Sequence, residues 1–570
     1  MFMYRPSCAL SCSLALAALL PATACGDNEQ DQVSPSTCDE ACVVEIFKDL
    51  SKVYRPSYGE EPARAWVQAQ VAAAIDRGIW EDGELSLDMD ESVDAANHTL
   101  KNVLVRVPGT GPYASRSPVA LQCHLDMIFA VDGAPPGQPL DDYFRSGVDV
   151  VEDAGVLHSR DHKTTLGADC GTGVAQMVRY LFDRNLPHPP LELMFTVAEE
   201  TGLIGALRWD VAKLPLRAAA YINLDGWSAT DLVTSDLSAP LAIQLGAAGG
   251  VVNSVDGRLD GSAVAGNATL VKMSLTGLLG GHSGFLIGRP RMNAIVAFAA
   301  LLQEARKVDA GLRLVSITSG QVSARLGHNK IPSSFEAVFA VSNSTTVADL
   351  GAALQPFFAT YIAPYTDEVP AAVKLVLEAA TVAAPTALSA AATKSFVDAL
   401  RALPNGVIEA DPGSLGGWKV SSNLGVLGVN DGAAGKAVFV GYLPRSFILE
   451  QSHVLSDQIF TDLQQQSGVL DLMRVKASAP AWLVERTATM VVLAKAGAGI
   501  ERDMVLPAGT EPGAFVDKFP VLKDRVIGLA PAIIEAHTPK EAVAIQSLGD
   551  ATAALQKILV ALGEDATFLR

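Results

Sequence analysis

Two adjacent acids, Glu199 and Glu200, have the residue types and spacing that a hydrolytic metal centre requires. One carboxylate can ligate a metal ion while its neighbour takes a proton from a water molecule that the metal activates. The dipeptide alone means little, since adjacent acids usually form a solvated surface. Its context is supplied by two histidines and three further acids: His124, Asp126, Asp169, Asp225 and His537. Imidazole and carboxylate groups are the ligands that suit a pair of borderline ions such as zinc.

The segments that precede these residues predict the elements that position them. Short apolar runs that read as buried strands end at or just before three of the polar sites, and a fourth lies ahead of His537: Val119–Cys123, Leu191–Val197, Ala218–Leu224 and Val526–Leu529. Between the first two, apolar residues from Val174 to Leu181 recur at helical spacing. Alternating strands and helices predict a mostly parallel α/β sheet. Functional groups collect beyond the carboxyl ends of such strands, where these candidates fall.

Short motifs that stand in one order along residues 41–570 carry a resemblance to a known family. They include LQCHLDM from Leu121, TTLGADCG from Thr164, AEETGLIGA from Ala198, GLLGGHSG from Gly277 and AHTPKE from Ala536. In this order they resemble the aminoacyl-histidine dipeptidases (Xaa-His dipeptidases). These form a branch of the co-catalytic zinc peptidases, which also include carnosinases and aminoacylases. The resemblance implies a zinc-exopeptidase-like α/β fold, in which helices flank a mostly parallel sheet and an α+β lid is inserted.

The resemblance also implies a ligand set for two zinc ions, with cobalt or manganese as substitutes. By this correspondence His124 and Asp225 ligate one ion, Glu200 and His537 ligate the other, and Asp169 bridges both. A bridging carboxylate holds two cations close, and together they lower the pKa of a shared water. We therefore expect a two-metal centre at the carboxyl edge of the sheet.

Further roles come from the same correspondence. Glu199 is expected to be the general base, and Asp126 is expected to orient His124 from behind, as ligating histidines usually require. His282, in the GGHSG loop, resembles a lid histidine that stabilises the oxyanion, in some relatives across a subunit boundary. Arg445 and Asn329 resemble lid positions that hold a substrate carboxylate, a task suited to a guanidinium group. A surface ion pair is the alternative for Arg445.

The length of 570 residues predicts more than one domain. The expected organisation is a signal peptide, a polar tether, a first catalytic segment, an inserted lid and a second catalytic segment: residues 1–25, 26–40, 41–229, 230–479 and 480–570. Within the lid, two strand-rich halves are each expected to carry a helix. The Ala- and Val-rich stretch Pro370–Leu403 between them is predicted to be helical.

The N-terminus predicts export. Arg5 precedes the apolar run Leu14–Pro21, and small residues follow it up to Cys25. This pattern is typical of a signal peptide that is too short to span a membrane as an anchor. It resembles a bacterial lipoprotein processing site, although Ala22 stands where Leu is usual. Lipidation of Cys25 would place the protein on the bacterial cell envelope, in the periplasm or at the outer membrane. Plain secretion is the alternative, and known dipeptidases of this branch are largely cytoplasmic.

Cysteine usage and charge add two expectations. Of the seven cysteines, Cys38 and Cys42 are one helical turn apart and can form a disulfide in an oxidising compartment. Cys123 and Cys170 flank candidate ligands and are expected to be buried, inert thiols; the family pattern has Asn at the position of Cys170. The formal net charge of −19 argues against a nucleic-acid partner.

The sequence therefore predicts a metal-dependent hydrolase that cleaves the peptide bond of dipeptides, with a C-terminal histidine suggested by resemblance alone. Two alternatives stay open. The first keeps the chemistry but changes the substrate to N-acyl amino acids or longer peptides. The second is a peptide-binding lipoprotein without turnover, and the presence of Glu199 argues against it, because a binder needs no general base. A homodimer is left open, and any membrane contact is expected only through Cys25.

Overall fold

Nine strands form the sheet that carries the predicted ligands. The computed structural model describes residues 38–570 except 95, 135–137, 226–236, 267, 324–326, 343, 415 and 434. Within this part of the chain, the strands of the central sheet are Ser86–Met89, Val103–Val107, Val119–His124, Leu191–Thr196, Ala220–Asn223, Ile243–Ala247, Trp482–Leu483, Asp503–Leu506 and Val526–Gly528.

The centre of this sheet is parallel. Val119–His124 pairs in parallel with Leu191–Thr196 on one side and with Ala220–Asn223 on the other, and Val526–Gly528 extends the parallel order. Every residue of the first three strands is buried, as expected where helices cover both faces of a parallel sheet. Antiparallel pairs, such as Ser86–Met89 with Val103–Val107, lie at the margins. The predicted α/β fold class is confirmed.

A second sheet is antiparallel throughout and lies between the two groups of central strands in sequence. Its strands are Gly249–Leu259, Thr269–Thr276, Arg313–Ser319, Phe335–Val341, Lys374–Ala379, Gly406–Ala410, Trp418–Gly432, Gly435–Ser446 and Leu470–Ala479. Its helices are Ala294–Val308, Val347–Ile362, Ala390–Ala402 and Leu449–Gln466. Their apolar faces share one core with this sheet. Because residues 38–570 lie in one compact unit, the division into a catalytic domain and an inserted lid stays a prediction.

The predicted helix over Pro370–Leu403 is wrong for its first half. Lys374–Ala379 is an edge strand that pairs with Thr269–Thr276, and a short strand, Thr386–Leu388, follows before helix Ala390–Ala402 begins. The edge strand buries Leu375 while its neighbours are exposed, which is the two-residue period of a half-buried strand. The apolar composition of the stretch did not distinguish that period from a helical one.

Smaller sheets hold the loops around the site. A four-stranded sheet consists of Val150–Asp153, Val156–Ser159, Ile533–Ile534 and Ala542–Ala544. Its last two strands form a hairpin whose loop carries His537. The two-stranded ladders are Ser92–Val93 with Thr99–Leu100, Gly261–Ala263 with Thr386–Leu388, and Gly281–His282 with Lys330–Ile331.

The remaining helices complete the layers around the central sheet. They are Glu40–Leu50, Glu61–Asp76, Asp141–Phe144, Ala168–Phe182, Ile204–Arg208, Thr489–Ala498, Pro512–Lys518 and Ile545–Glu564, with 3-10 turns at Gly111–Tyr113, Arg160–His162 and Pro520–Leu522. Among the described helices, none has the length and apolar character needed to cross a bilayer. The predicted signal peptide, most of the polar tether and the lipidation site Cys25 lie outside the described residues.

Candidate metal centre

His124 and Asp169 meet at the carboxyl edge of the central sheet. His124 is the last residue of strand Val119–His124, and Asp169 lies in the first turn of helix Ala168–Phe182. Nε2 of His124 is 3.1 Å from Oδ1 of Asp169. Both side chains are buried, so the strand and the helix bring two predicted ligands together although 45 positions separate them.

His537 reaches the same carboxylate from the other end of the chain. Its Nε2 is 3.2 Å from Oδ2 of Asp169 and 3.0 Å from Oε1 of Glu200. Asp169 thus presents one oxygen to each histidine, which is the arrangement expected of a carboxylate between two ions. The side chain of Glu200 is 4% exposed, and the residue follows the strand Leu191–Thr196.

Asp225 completes the predicted ligand set. It follows strand Ala220–Asn223, and ligand atoms of His124, Cys170 and Asp225 lie within 4.8 Å of one another. A second set, His124, Asp169 and Glu200, meets the same limit. The structure therefore places all five sequence-predicted ligands in one cluster.

The cluster concentrates negative charge in a buried space. Burial, and then the charge of Asp169, raise the pKa of Asp225 well above its usual value. Burial, together with the charges of Glu200 and Asp225, likewise raises the pKa of Glu199 well above its usual value, although His124 acts in the opposite direction. Carboxylates that raise one another's pKa lack enough positive charge nearby, and a cation supplies it.

The histidines respond to the same charges. Although burial opposes it, contacts with Asp169 and Glu200 raise the pKa of His537 to about 11. Oε1 of Glu200 nevertheless makes no hydrogen bond of good geometry within the described structure. A donor set of two imidazoles and three carboxylates, with a buried oxygen left unsatisfied, fits two divalent cations. His124 and Asp225 would hold one, Glu200 and His537 the other, and Asp169 both.

Asp126 differs from the expected role in its details. Nδ1 of His124 is 3.0 Å from the backbone oxygen of Asp126, and 3.4 Å from its carboxylate. The carboxylate accepts hydrogen bonds from the backbone N–H groups of Glu199 and Glu200, at 3.1 Å and 3.2 Å, and from the hydroxyl of Ser57. Asp126 thus positions the Glu199–Glu200 turn with its side chain and His124 with its backbone.

Two buried residues that the sequence analysis did not single out hold the Asp169 loop. The carboxylate of Glu541 accepts hydrogen bonds from the backbone N–H groups of Leu166, Gly167 and Asp169, at 2.9–3.1 Å. Arg55 is fully buried and donates to the backbone oxygens of Leu125, Asp126 and Gly167. Glu541 ends the AHTPKE motif, so the motif contained a signal for it. Arg55 lies in none of the motifs given above.

The GGHSG loop reaches this centre from the second sheet. The backbone N–H of Gly284 donates to Nδ1 of His282 at 3.2 Å. Burial, and then the positive charges of Arg445 and His537, lower the pKa of His282 to about 3. A neutral ring that accepts at Nδ1 carries its proton on Nε2, so His282 is a hydrogen-bond donor. The charge of His537 contributes to this shift, so the loop lies within electrostatic range of one predicted ligand of the same chain.

Arg445 and Asn329 are placed differently. Arg445 is buried, and burial lowers its pKa to about 10. Within the described residues it has no carboxylate partner, so the surface ion pair is not what the structure shows. Asn329 is exposed, and its backbone oxygen accepts from the N–H of Ser283 at 2.7 Å. Arg445 thus presents an unpaired charge near His282, whereas Asn329 supports the loop through its backbone.

The cysteines form two pairs. Cys38 and Cys42 are joined by a disulfide near the start of helix Glu40–Leu50. Cys123 and Cys170 are also joined, which corrects the prediction of two inert thiols. The helix Ala168–Phe182 packs closely on strand Val119–His124, and this contact brings the two sulfurs together.

Known proteins resemble the chain over nearly its whole length. The cytosol non-specific dipeptidase of Escherichia coli (strain K12) is 28% identical over 544 residues, covering 93% of this chain and 99% of that protein. The crystal structure of an aminoacylhistidine dipeptidase from Vibrio alginolyticus matches with a TM-score of 0.67 and 23% identity, covering 93% and 98%. A tripeptidase from Staphylococcus aureus matches with a TM-score of 0.53 and 14% identity, covering 93% and 100%. No family model matches the chain.

These similarities make the chain a homologue of the dipeptidase and confirm the fold of the two solved structures. They contradict the predicted location. The prediction of an exported envelope protein, lipid-anchored or secreted, is wrong, because the sequence similarity runs to a dipeptidase of the cytosol and no finding supports export or acylation at Cys25. The N-terminal signal was short, and its lipobox-like end already lacked the usual Leu.

Replacing Glu541 tests whether the Asp169 loop depends on its carboxylate. In Glu541→Gln an amide NH2 group replaces one of the two carboxylate oxygens that accept hydrogen bonds from the loop. A donor then faces a donor, so the loop should lose its fixed position. We expect metal affinity to fall by about 10–100-fold, the usual effect of losing a group that orients a ligand. Competition with a chromogenic chelator measures it. The exposed Glu501→Gln is the matched control, and equal affinities of both variants and the unmodified chain would remove Glu541 from this role.

Proposed function

We propose that this protein is a metal-dependent dipeptidase, a hydrolase of peptide bonds in short peptides. The observation that carries the proposal is the meeting of the five predicted ligands beside Glu199 at the carboxyl edge of the central sheet. Homology to a dipeptidase over 93% of the chain supports it. The reaction class therefore rests on both the arrangement of the site and the ancestry of the chain.

The chemistry divides between the cations and the side chains. When bound, two divalent cations polarise the scissile carbonyl and lower the pKa of a water molecule. Glu199 would take a proton from the attacking water and pass it to the leaving amine. Burial, the largest cause of its raised pKa, suits both steps, because a carboxyl group that holds a proton more readily is a better base and can return the proton afterwards. Asp126 fixes the turn from which Glu199 projects.

His282 is proposed to stabilise the developing oxyanion. The ring is neutral and donates from Nε2, and a preorganised donor of this kind is worth most in a site that excludes water. The loop is held on both sides: Trp418 donates to the backbone oxygen of Gly284 at 2.7 Å, and Gly284 lies against Pro507. These contacts support a role for His282 within its own chain; the homodimer left open by the sequence is not tested.

Arg445 is proposed to hold the substrate's terminal carboxylate. A side-chain carbon at Gly284 would lie 2.9 Å from Cε1 of His282 and 3.1 Å from Nη1 of Arg445, so both groups border the same glycine. A guanidinium group so close to the oxyanion donor leaves little space between the scissile bond and the carboxylate. This spacing favours a single residue after the scissile bond, as in a dipeptide.

Zinc is the proposed metal, with cobalt or manganese as substitutes at these nitrogen and oxygen ligands. A C-terminal histidine in the substrate is proposed from the resemblance to Xaa-His dipeptidases. An aminoacylase or a broader peptidase is the alternative with the same chemistry. A peptide-binding protein without turnover is the alternative of another class, and Glu199 beside a complete ligand set argues against it.

A panel of small substrates, each with and without chelator, tests the function. Reloaded with zinc, the protein is expected to cleave β-Ala-His, Ala-His and Leu-Gly in a chelator-sensitive way and to leave a tripeptide and an N-acetyl amino acid intact. Rates across the three dipeptides show whether histidine matters. Cleavage of the N-acetyl compound alone would make the protein an aminoacylase. No hydrolysis of any substrate, with two metals bound, would make it a binding protein.

Replacing Glu199 separates catalysis from metal binding. Glu199→Gln keeps the shape of the side chain but removes the base, so turnover should fall by about 10²–10⁴-fold with both metals retained. Elemental analysis and initial rates measure the two quantities. Glu200→Gln is the matched comparison, since it should lose metal as well as turnover. Retained turnover in Glu199→Gln would remove this residue from the role of base.

Replacing His282 tests the oxyanion donor. His282→Asn is expected to lower turnover by about 10²–10³-fold, the cost of losing one such donor, with metal content unchanged. His453→Asn is the control, because that histidine lies on helix Leu449–Gln466, outside the GGHSG loop and the segment that pairs with it. Steady-state rates on Ala-His measure the effect, and kinetics equal to those of the unmodified chain would exclude the assignment.

A further inference from the structure

The Cys123–Cys170 pair lies in the wall of the metal cluster. Cys170 directly follows the bridging candidate Asp169, and Cys123 directly precedes His124. Both residues are buried, with at most 2% of either exposed. The sulfur of Cys170, a ring nitrogen of His124 and a carboxylate oxygen of Asp225 all lie within 4.8 Å of one another. A third donor therefore faces the position assigned to the first cation.

We propose that the Cys170 thiolate is an additional ligand of the His124–Asp225 metal position when the Cys123–Cys170 disulfide is reduced, and that forming the disulfide withdraws it. The inference rests on the metal centre of the proposed function. Thiolate is among the strongest ligands for zinc, whereas a sulfur in a disulfide carries no charge and is a poor ligand. One side chain would thus set the affinity of one of the two positions.

Close packing holds the sulfur of Cys123. Helix Ala168–Phe182 packs so closely on the strand that a side-chain carbon at Gly173 would clash with the sulfur of Cys123. Zinc ligands at tetrahedral geometry lie about 3.5 Å apart, from bond lengths of about 2.0 and 2.3 Å. The three donor atoms, now within 4.8 Å, need to approach by only about 1 Å to meet this requirement.

The exchange between the two states is a two-electron reaction. Oxidation removes two electrons and two protons from the thiols of Cys123 and Cys170 and joins their sulfurs. A low-molecular-weight disulfide accepts both electrons and both protons and leaves as two thiols, and a small dithiol reverses the reaction. Metal binding by the reduced form additionally releases the proton of Cys170, because only the thiolate coordinates.

Cobalt(II) absorption reads the ligand directly. The full chain, reduced or oxidised, is loaded with cobalt, which takes the same ligands as zinc and gives an intense near-ultraviolet charge-transfer band when thiolate is bound. We expect the band in the reduced chain and its absence in the oxidised chain. Cys123→Ser should show the band without reductant, since its Cys170 has no partner, and Cys170→Ser should never show it.

Zinc affinity gives a second readout. Competition with a chromogenic chelator measures the zinc affinity of each position. We expect one of the two positions to bind zinc at least about tenfold more tightly in Cys123→Ser than in the oxidised chain, because even a residue that only orients a ligand changes metal affinity by that factor. Cys42→Ser is the matched control: it opens the other disulfide, which contacts Arg179 and Asp183 at the far end of helix Ala168–Phe182, and should leave band and affinity unchanged.

The outcomes separate this inference from the proposed function. Cobalt bound with visible bands but without the charge-transfer band, in both the reduced chain and Cys123→Ser, would overturn the ligand role of Cys170 and leave the metal centre intact. A band that persists in Cys170→Ser would overturn it as well. No cobalt bound in any state would overturn the metal centre, and the proposed function with it.

Discussion

Repulsion among carboxylates at the carboxyl edge of the central sheet is the constraint on which the rest of the site depends. Asp169, Glu199, Glu200 and Asp225 converge there, and burial leaves their charges unscreened by water. Such a cluster costs folding free energy until cations bind, which is the usual linkage between a metal site and the fold that holds it. The structure supports the cluster with fixed hydrogen bonds, so that the ligands stay in place although they repel one another.

Those hydrogen bonds share one pattern. Buried acids that are not themselves ligands accept hydrogen bonds from the backbone N–H groups of the loops that carry the ligands. Asp126 binds the Glu199–Glu200 turn, and Glu541 binds the loop before Asp169. Glu541 lies 372 residues beyond Asp169 and close to His537, so the C-terminal segment supplies both a ligand and its support. The burial of Glu541 raises its pKa to about 7, and the backbone donors oppose that shift. The centre therefore cannot form before the last segment of the chain has joined the sheet.

The sequence predicted the features that depend on residues close together in the chain. Apolar runs located four of the nine central strands to within about two residues, and the fold class and enzyme class are confirmed. The hydrogen bonds of Glu541 and Arg55 join distant segments and have no local period, so they could not be derived from pattern. The edge strand Lys374–Ala379 was hidden by an Ala-rich composition that suits a helix. The Cys123–Cys170 pairing depends on how closely helix and strand pack. The prediction of the cellular location was wrong because it rested on a short N-terminal pattern alone.

The second sheet is needed for electrostatic reasons as well as for shape. Arg445 and His537 both carry positive charge near enough to act on His282, and a second proton on its ring would be repelled by both. The ring is thereby kept neutral, and Gly284 fixes which nitrogen donates. Arg445, buried without a described carboxylate partner, keeps its charge for an anion that arrives from outside. A substrate carboxylate would satisfy Arg445 and leave His282 free to donate, so one loop, seated against Pro507 of the same chain, couples recognition of the substrate to stabilisation of the transition state.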